Sequence, residues 1–172
     1  AVIAVVITLS AVYAQLVMKF TTAQTITLIL VVNITAAIGA FVFGYVQDRL
    51  GHKKTLALTI LLWIIMGVMA AFSHGPVSFW IAANIAGIAM GSSQSAGRAV
   101  VAVFAPAGEL AQFYSAWNVA VWGANVLGPI TYGTVTWLTS GDQRTAILVT
   151  TLFFVIGLLI LRRVHLPSKT VC

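Results

Sequence analysis

Of 172 residues, 60% are hydrophobic and only 7% are charged, where a soluble globular domain carries roughly 45–50% and 25%. That composition excludes a water-solvated fold and points to one embedded in a bilayer. The formal charge of +6 comes from a few cations in short connections, a topology signal and not a nucleic-acid surface, so no nucleic-acid partner is expected.

A bilayer-spanning helix needs about 20 mainly apolar residues whose backbone groups pair internally. Six such segments fill the chain, predicting an all-α, polytopic membrane protein with a single domain over 1–172. Segment A runs from Ala1 to about Met18 and begins abruptly in apolar sequence, as if the chain were a fragment cut inside its first helix. Segment B covers Thr25 to Val46, and the polar run Gln47 to Lys54 forms a loop before segment C, Thr55 to Phe72. Ser73-His74-Gly75-Pro76 disfavours helix and returns the chain as a hairpin. Segment D extends from Val77 towards Phe104, segment E from Gln112 to Leu138, and segment F from Thr145 to about Leu161, before a tail that ends at the single Cys172.

Lys and Arg collect in cytoplasmic loops. With the B–C loop cytoplasmic, alternation puts Arg49, Lys53, Lys54, Arg98, Arg162, Arg163 and Lys169 on that side and only Lys19 and Arg144 opposite. Seven against two places both chain ends in the cytoplasm.

The B–C loop reads Gly44-Tyr45-Val46-Gln47-Asp48-Arg49-Leu50-Gly51-His52-Lys53-Lys54. Any cytoplasmic hairpin attracts cations, but that does not require Gly44, Asp48 four residues on, and Gly51 at a turn. The spacing resembles the signature loop of the major facilitator superfamily: Gly, three residues, Asp-Arg, one residue, Gly, then basic residues. It falls between the second and third helices, as in each six-helix half of that superfamily. The resemblance implies a conformational latch of Gly44, Asp48, Arg49, Gly51, Lys53 and Lys54, with Arg98 as the natural partner of Asp48. Gly44 is expected to allow close helix approach.

On segment D, Asn84, Gly87, Gly91, Gln94 and Arg98 recur at helical spacing and form one stripe. The glycines suit close packing. Asn84 and Gln94 suit packing or a polar pathway equally, since amides in a membrane are costly without a cavity or partner. Segment E repeats the pattern with Tyr114, Asn118, Trp122, Asn125, Pro129 and Tyr132. Candidate pathway residues are therefore Asn84, Gln94, Asn118, Trp122 and Asn125. Segments C and F carry only scattered Thr, which separates them as outer helices from inner A, B, D and E, the arrangement of major facilitator halves.

Gly91 to Arg98, Ala105-Pro106, Gln112-Phe113-Tyr114 and Leu127 to Gly133 look like the C-terminal half of one branch, the autophagy-related vacuolar amino-acid efflux permeases and their bacterial relatives. Many relatives carry a basic residue where this chain has Trp122, so the amino-acid substrate is not carried over with the fold. The resemblance implies a secondary transporter half that moves a small solute together with an N-terminal six-helix half, in a bacterial inner membrane. The alternative is a non-transporting assembly subunit with the same fold. Neither a metal-ligand cluster nor a nucleophile–base pair is present among three acids and three scattered histidines, so neither enzyme chemistry nor a cofactor is expected.

The orientation is open to a direct check. A cysteine replacing Gly75 should react with an impermeant thiol reagent added outside the cell, and one replacing His52 should not; the reverse labelling would invert the cation-based topology.

Overall fold

A computed structural model describes residues 21–73, 75–106 and 108–164. Within them are five helices and no strand: α1 Thr22–Leu50, α2 His52–Ala71, α3 Pro76–Phe104, α4 Leu110–Leu138 and α5 Gln143–Arg163. They match expected segments B to F, while segment A lies outside the described residues. The expected bounds were too short at the polar ends. Helix continues on both sides of Gly51, so the run expected as a loop is a one-residue corner in which Gly51 holds φ 82° and ψ 163°. Such backbone angles are essentially closed to residues with a Cβ.

Local sequence explains the starts. Thr21 and Gln24 form a reciprocal capping box, each side chain accepting from the other's backbone N–H. Pro76 occupies the first turn of α3, where its missing N–H costs nothing. Asp142 caps α5 by accepting from the Arg144 amide (3.0 Å) and the Thr145 hydroxyl (2.5 Å). Those bonds, the Thr145 hydroxyl first, hold its carboxyl below the usual range. The cap therefore acts fully above the ordinary carboxylate pKa and is lost as pH falls through the lowered one.

By length and composition α1, α2 and α5 are apolar enough to cross a bilayer. At 29 residues each, α3 and α4 reach about 43 Å at 1.5 Å per residue, but their polar stripes dilute the apolar run. Helix α4 continues unbroken through Pro129.

The most extensive contact joins α1 to α3, through missing side chains. A Cβ on Gly91 would stand 1.8 Å from the Ala36 carbonyl oxygen, one on Gly87 2.2 Å from Thr35 Oγ1, and one on Gly39 2.6 Å from the Ile88 carbonyl oxygen. Those backbones are as close as chain geometry allows. The Thr residues of α2 and α5 are also used for packing: Thr55, Thr59, Thr150 and Thr151 are buried, and a Cβ on Gly67 would collide with Thr151 Oγ1. Trp63 lies beneath, stacked on Phe154 at 5.2 Å with its indole N–H 3.4 Å from Ser93 Oγ.

Replacing Gly91 by Ala should therefore destabilise the protein by about 1–3 kcal/mol, the usual cost of overpacking, because the obstacle is backbone. Gly157, with no described atom within 4 Å of a built Cβ, should accept Ala without loss. Thermal unfolding of both variants in detergent compares them.

Candidate functional site

Two groups of residues carry the candidate chemistry: the corner between α1 and α2, and the polar stripes of α3 and α4.

At the corner, the structure distributes the cations among separate tasks. Arg49 turns back onto its own helix, its guanidinium 4.4 Å from the Tyr45 ring centroid and hydrogen-bonded to the Tyr45 hydroxyl. Lys53 crosses to the far end of the chain, where Nζ donates to the carbonyls of Arg162 (3.0 Å) and Val164 (2.6 Å). It thus satisfies carbonyls that the last turn of α5 leaves without an intrahelical donor. Gln47, only 5% exposed, shares a 2.5 Å hydrogen bond with Nδ1 of His52 across Gly51. Asp48 and Lys54 are exposed.

Two expectations for this corner change. Asp48 and Arg98 form no ion pair; among the described residues neither side chain has a charged or hydrogen-bonded partner. Lying at one end of the bundle does not put two charges in contact. Nor, among the described residues, does Gly44 mediate a close approach: none of their atoms lies within 4 Å of a Cβ built on it. The close approaches come from Gly39, Gly67, Gly87, Gly91 and, against the Trp117 ring at 2.6 Å, Gly97.

The α3 stripe divides by position. Gly87 and Gly91 are buried in the α1 seam. Asn84 is half-buried and donates through Nδ2 to its own helix at the Trp80 carbonyl, 2.8 Å, so its polarity is locally satisfied. Gln94 and Arg98 open into a cleft of about 490 Å³ between α1 and α3, lined also by Ala36, Ala40, Met90, Gly91 and Ser95. On α4 the ends of the stripe are engaged: the Tyr114 hydroxyl donates to the Arg98 carbonyl (3.1 Å), and the buried Tyr132 hydroxyl donates to Gln143 Oε1. Its middle is not. Trp122 is 73% exposed, Asn118 is exposed, Asn125 is half-buried, and neither Asn side chain has a hydrogen-bond partner among the described residues. Of the five expected pathway residues the cleft gathers only Gln94, together with Arg98 of the expected latch, and it leaves Asn84, Asn118, Trp122 and Asn125 outside its lining.

The family model described as vacuole effluxer Atg22 like matches residues 1–171. The chain belongs to that family. The Atg22-like chain is 28% identical over 143 residues to YxiO, an uncharacterised MFS-type transporter of Bacillus subtilis, covering 83% of this chain and 33% of the relative. It is 33% identical over 133 residues to a protein assigned to metabolite transport in Haemophilus influenzae, covering 75% of this chain and 32% of that one. It therefore spans about a third of the length of these curated relatives. Its fold is also that of XylE, a proton:xylose symporter of the major facilitator superfamily solved with 6-bromo-6-deoxy-D-glucose. The match has a TM-score of 0.78 at 20% identity, over 94% of this chain and 41% of XylE. At that identity the likeness is one of fold. The Atg22-like chain is accordingly an integral membrane protein with the helical fold of the major facilitator type.

The corner makes its own prediction. Gly51→Ala forces a Cβ into backbone space reserved for Gly and should cost about 1–3 kcal/mol. Thermal unfolding should show this loss, and Gly44→Ala, where no described atom lies within 4 Å of the added Cβ, should show none.

Proposed function

We propose that this chain is the C-terminal six-helix half of a secondary transporter, and that a small solute binds between it and an N-terminal half and crosses by alternating access. The observation that carries this reading is the α1–α3 cleft. It opens beside the glycine seam, and its three hydrogen-bonding side chains, Gln94, Ser95 and Arg98, have no hydrogen-bond partner among the described residues. An amide and a guanidinium left unsatisfied at membrane depth are expensive unless they meet water or a ligand. The middle of α4 supports the same reading, because Asn118 and Trp122 expose an amphipathic surface that a second half would cover. Major facilitator halves enclose their substrate near the bilayer midplane, where such surfaces meet.

In this reading the corner faces the cytoplasm of a bacterial inner membrane, and Gly51, Lys53 and Tyr45-held Arg49 fix its shape. Asp48, exposed and unpaired within the described residues, is the group left to engage a partner when the cytoplasmic side closes. An interaction present in only one access state and worth about 1.4 kcal/mol shifts that equilibrium tenfold. Described acids occur only at helix ends (Asp48, Glu109 and Asp142), so a proton carried by a carboxylate inside the bilayer would be carried elsewhere in the transporter.

Counterflow of a panel of radiolabelled small solutes, amino acids and sugars among them, by the full-length protein in liposomes tests this function. Exchange of at least one of them is expected, reduced about tenfold or more by Arg98→Ala or Gln94→Ala, while Asp48→Asn slows exchange and leaves substrate binding intact. Unchanged exchange in the Arg98 and Gln94 variants would remove the cleft from the pathway.

A further inference from the structure

The cations at the corner and at the end of α5 that no described contact engages lead to a different partner. At the junction of α2 with the end of α5, Lys53 spends its ammonium on two carbonyls, and Arg49 lies on Tyr45. Lys54, Arg162 and Arg163 remain. All three are exposed, and none has an ion-pair or side-chain hydrogen-bond partner among the described residues. Among the described residues, neither Asp48 nor Glu109 nor Asp142 forms an ion pair with any of them. Because Lys53 pins the first turn of α2 to the last residues of α5, the three spare cations are held at one place instead of on two independent tails.

What lies along the helices from these cations names the occupant. On α2, Lys54 heads a stripe at helical spacing through Leu58, Leu61 and Ile65, all exposed. On α5, Arg163 heads one through Leu159, Ile156 and Leu152, likewise exposed. Each cation thus caps an apolar track on a helix of membrane-spanning length and composition. A soluble anion would use the cations and ignore the tracks, and an acidic protein would have no use for tracks that run into the bilayer. A phospholipid matches both, with a phosphate-bearing anionic headgroup at the cations and acyl chains along the tracks.

We propose that Lys54, Arg162 and Arg163 form a binding site for one anionic phospholipid at the α2–α5 edge. The site depends on embedding in a membrane and not on the transport reading, so either can fail alone. Long basic side chains at a helix end reach the headgroup layer while their stems cover apolar surface, and each cation near an anionic surface raises its affinity several-fold. Bound lipid would bridge the ends of α2 and α5 from outside, on the edge where Lys53 bridges them from inside.

The test is the ratio of phosphatidylglycerol to phosphatidylcholine retained by the purified full-length protein, read by native mass spectrometry from mixed-lipid nanodiscs. The wild type should prefer phosphatidylglycerol. Lys54→Gln, Arg162→Gln and Arg163→Gln together should lower that preference about tenfold or more, whereas Lys54→Arg with Arg162→Lys and Arg163→Lys should keep it. Arg49→Gln, which removes a charge from the same face but not from the site, should also keep it. A preference that survives the triple Gln variant, or that falls equally with Arg49→Gln, would overturn the site in favour of diffuse attraction. Displacement of the lipid by millimolar glycerol phosphate would overturn it in favour of a soluble anion.

Discussion

The arrangement depends on the approach of α1 to α3 at the distance that three glycines permit. In a bilayer, lipid tails are as apolar as leucine, so helices gain little from hiding side chains from water, and close backbone packing is a main source of association. Gly39, Gly87 and Gly91 provide it. Gly91 also joins the seam to the cleft: it stands against Ala36 and Ala40 in the close approach and lines the cleft with them, beside Gln94 and Arg98. The same tight stretch that binds the pair thus supplies part of the cleft wall.

Helices α2 and α5 are joined differently. Between α2 and α5, threonines are packed inward, with Thr150 and Thr151 hydroxyls returned to carbonyls of their own helix. Their apolar atoms then form the seam while no polar group is stranded. Lys53 closes this pair at one end, and at the other Arg144 donates to the Ser73 carbonyl at 3.3 Å. Both long-range bonds use a cation to satisfy backbone at a helix terminus, where carbonyls lack intrahelical donors. The helix bundle therefore has a fixed outer edge and, on α4, an inner surface with unspent polar groups. The proposed alternating access would use that division, because rocking requires a rigid body and a surface that exchanges partners.

Much of this was legible in the sequence, for physical reasons. Apolar length marks membrane helices with little ambiguity, and the helical spacing of Asn84, Gly87, Gly91, Gln94 and Arg98 placed them on one stripe and singled out the glycines for packing. The partner surface on α1 was not legible, because Val32, Thr35, Ala36 and Ala40 sit in a helix that is apolar on every side. Helix ends were drawn short at Asp48, Arg49, Lys53 and Lys54, since charge resembles a loop; only Gly51 breaks the helix, and its backbone angles, not its neighbours' polarity, are the reason. The Asp48–Arg98 pair was inferred from shared location and complementary charge, and Arg98 instead faces the cleft. Lys53's destination, 109 residues away in sequence at Arg162, leaves no local signal at all.

The central claim is that the cleft and the exposed middle of α4 border one space shared with a second half. A cryo-electron microscopy structure of the full-length protein in a lipid nanodisc tests it most directly. The account predicts a second helical unit packed beside α4, with Gln94, Arg98, Asn118 and Asn125 all facing a common water-filled cavity between the two units. Density for acyl chains against Asn118 and Asn125, or a cleft between α1 and α3 that opens only to lipid, would contradict it.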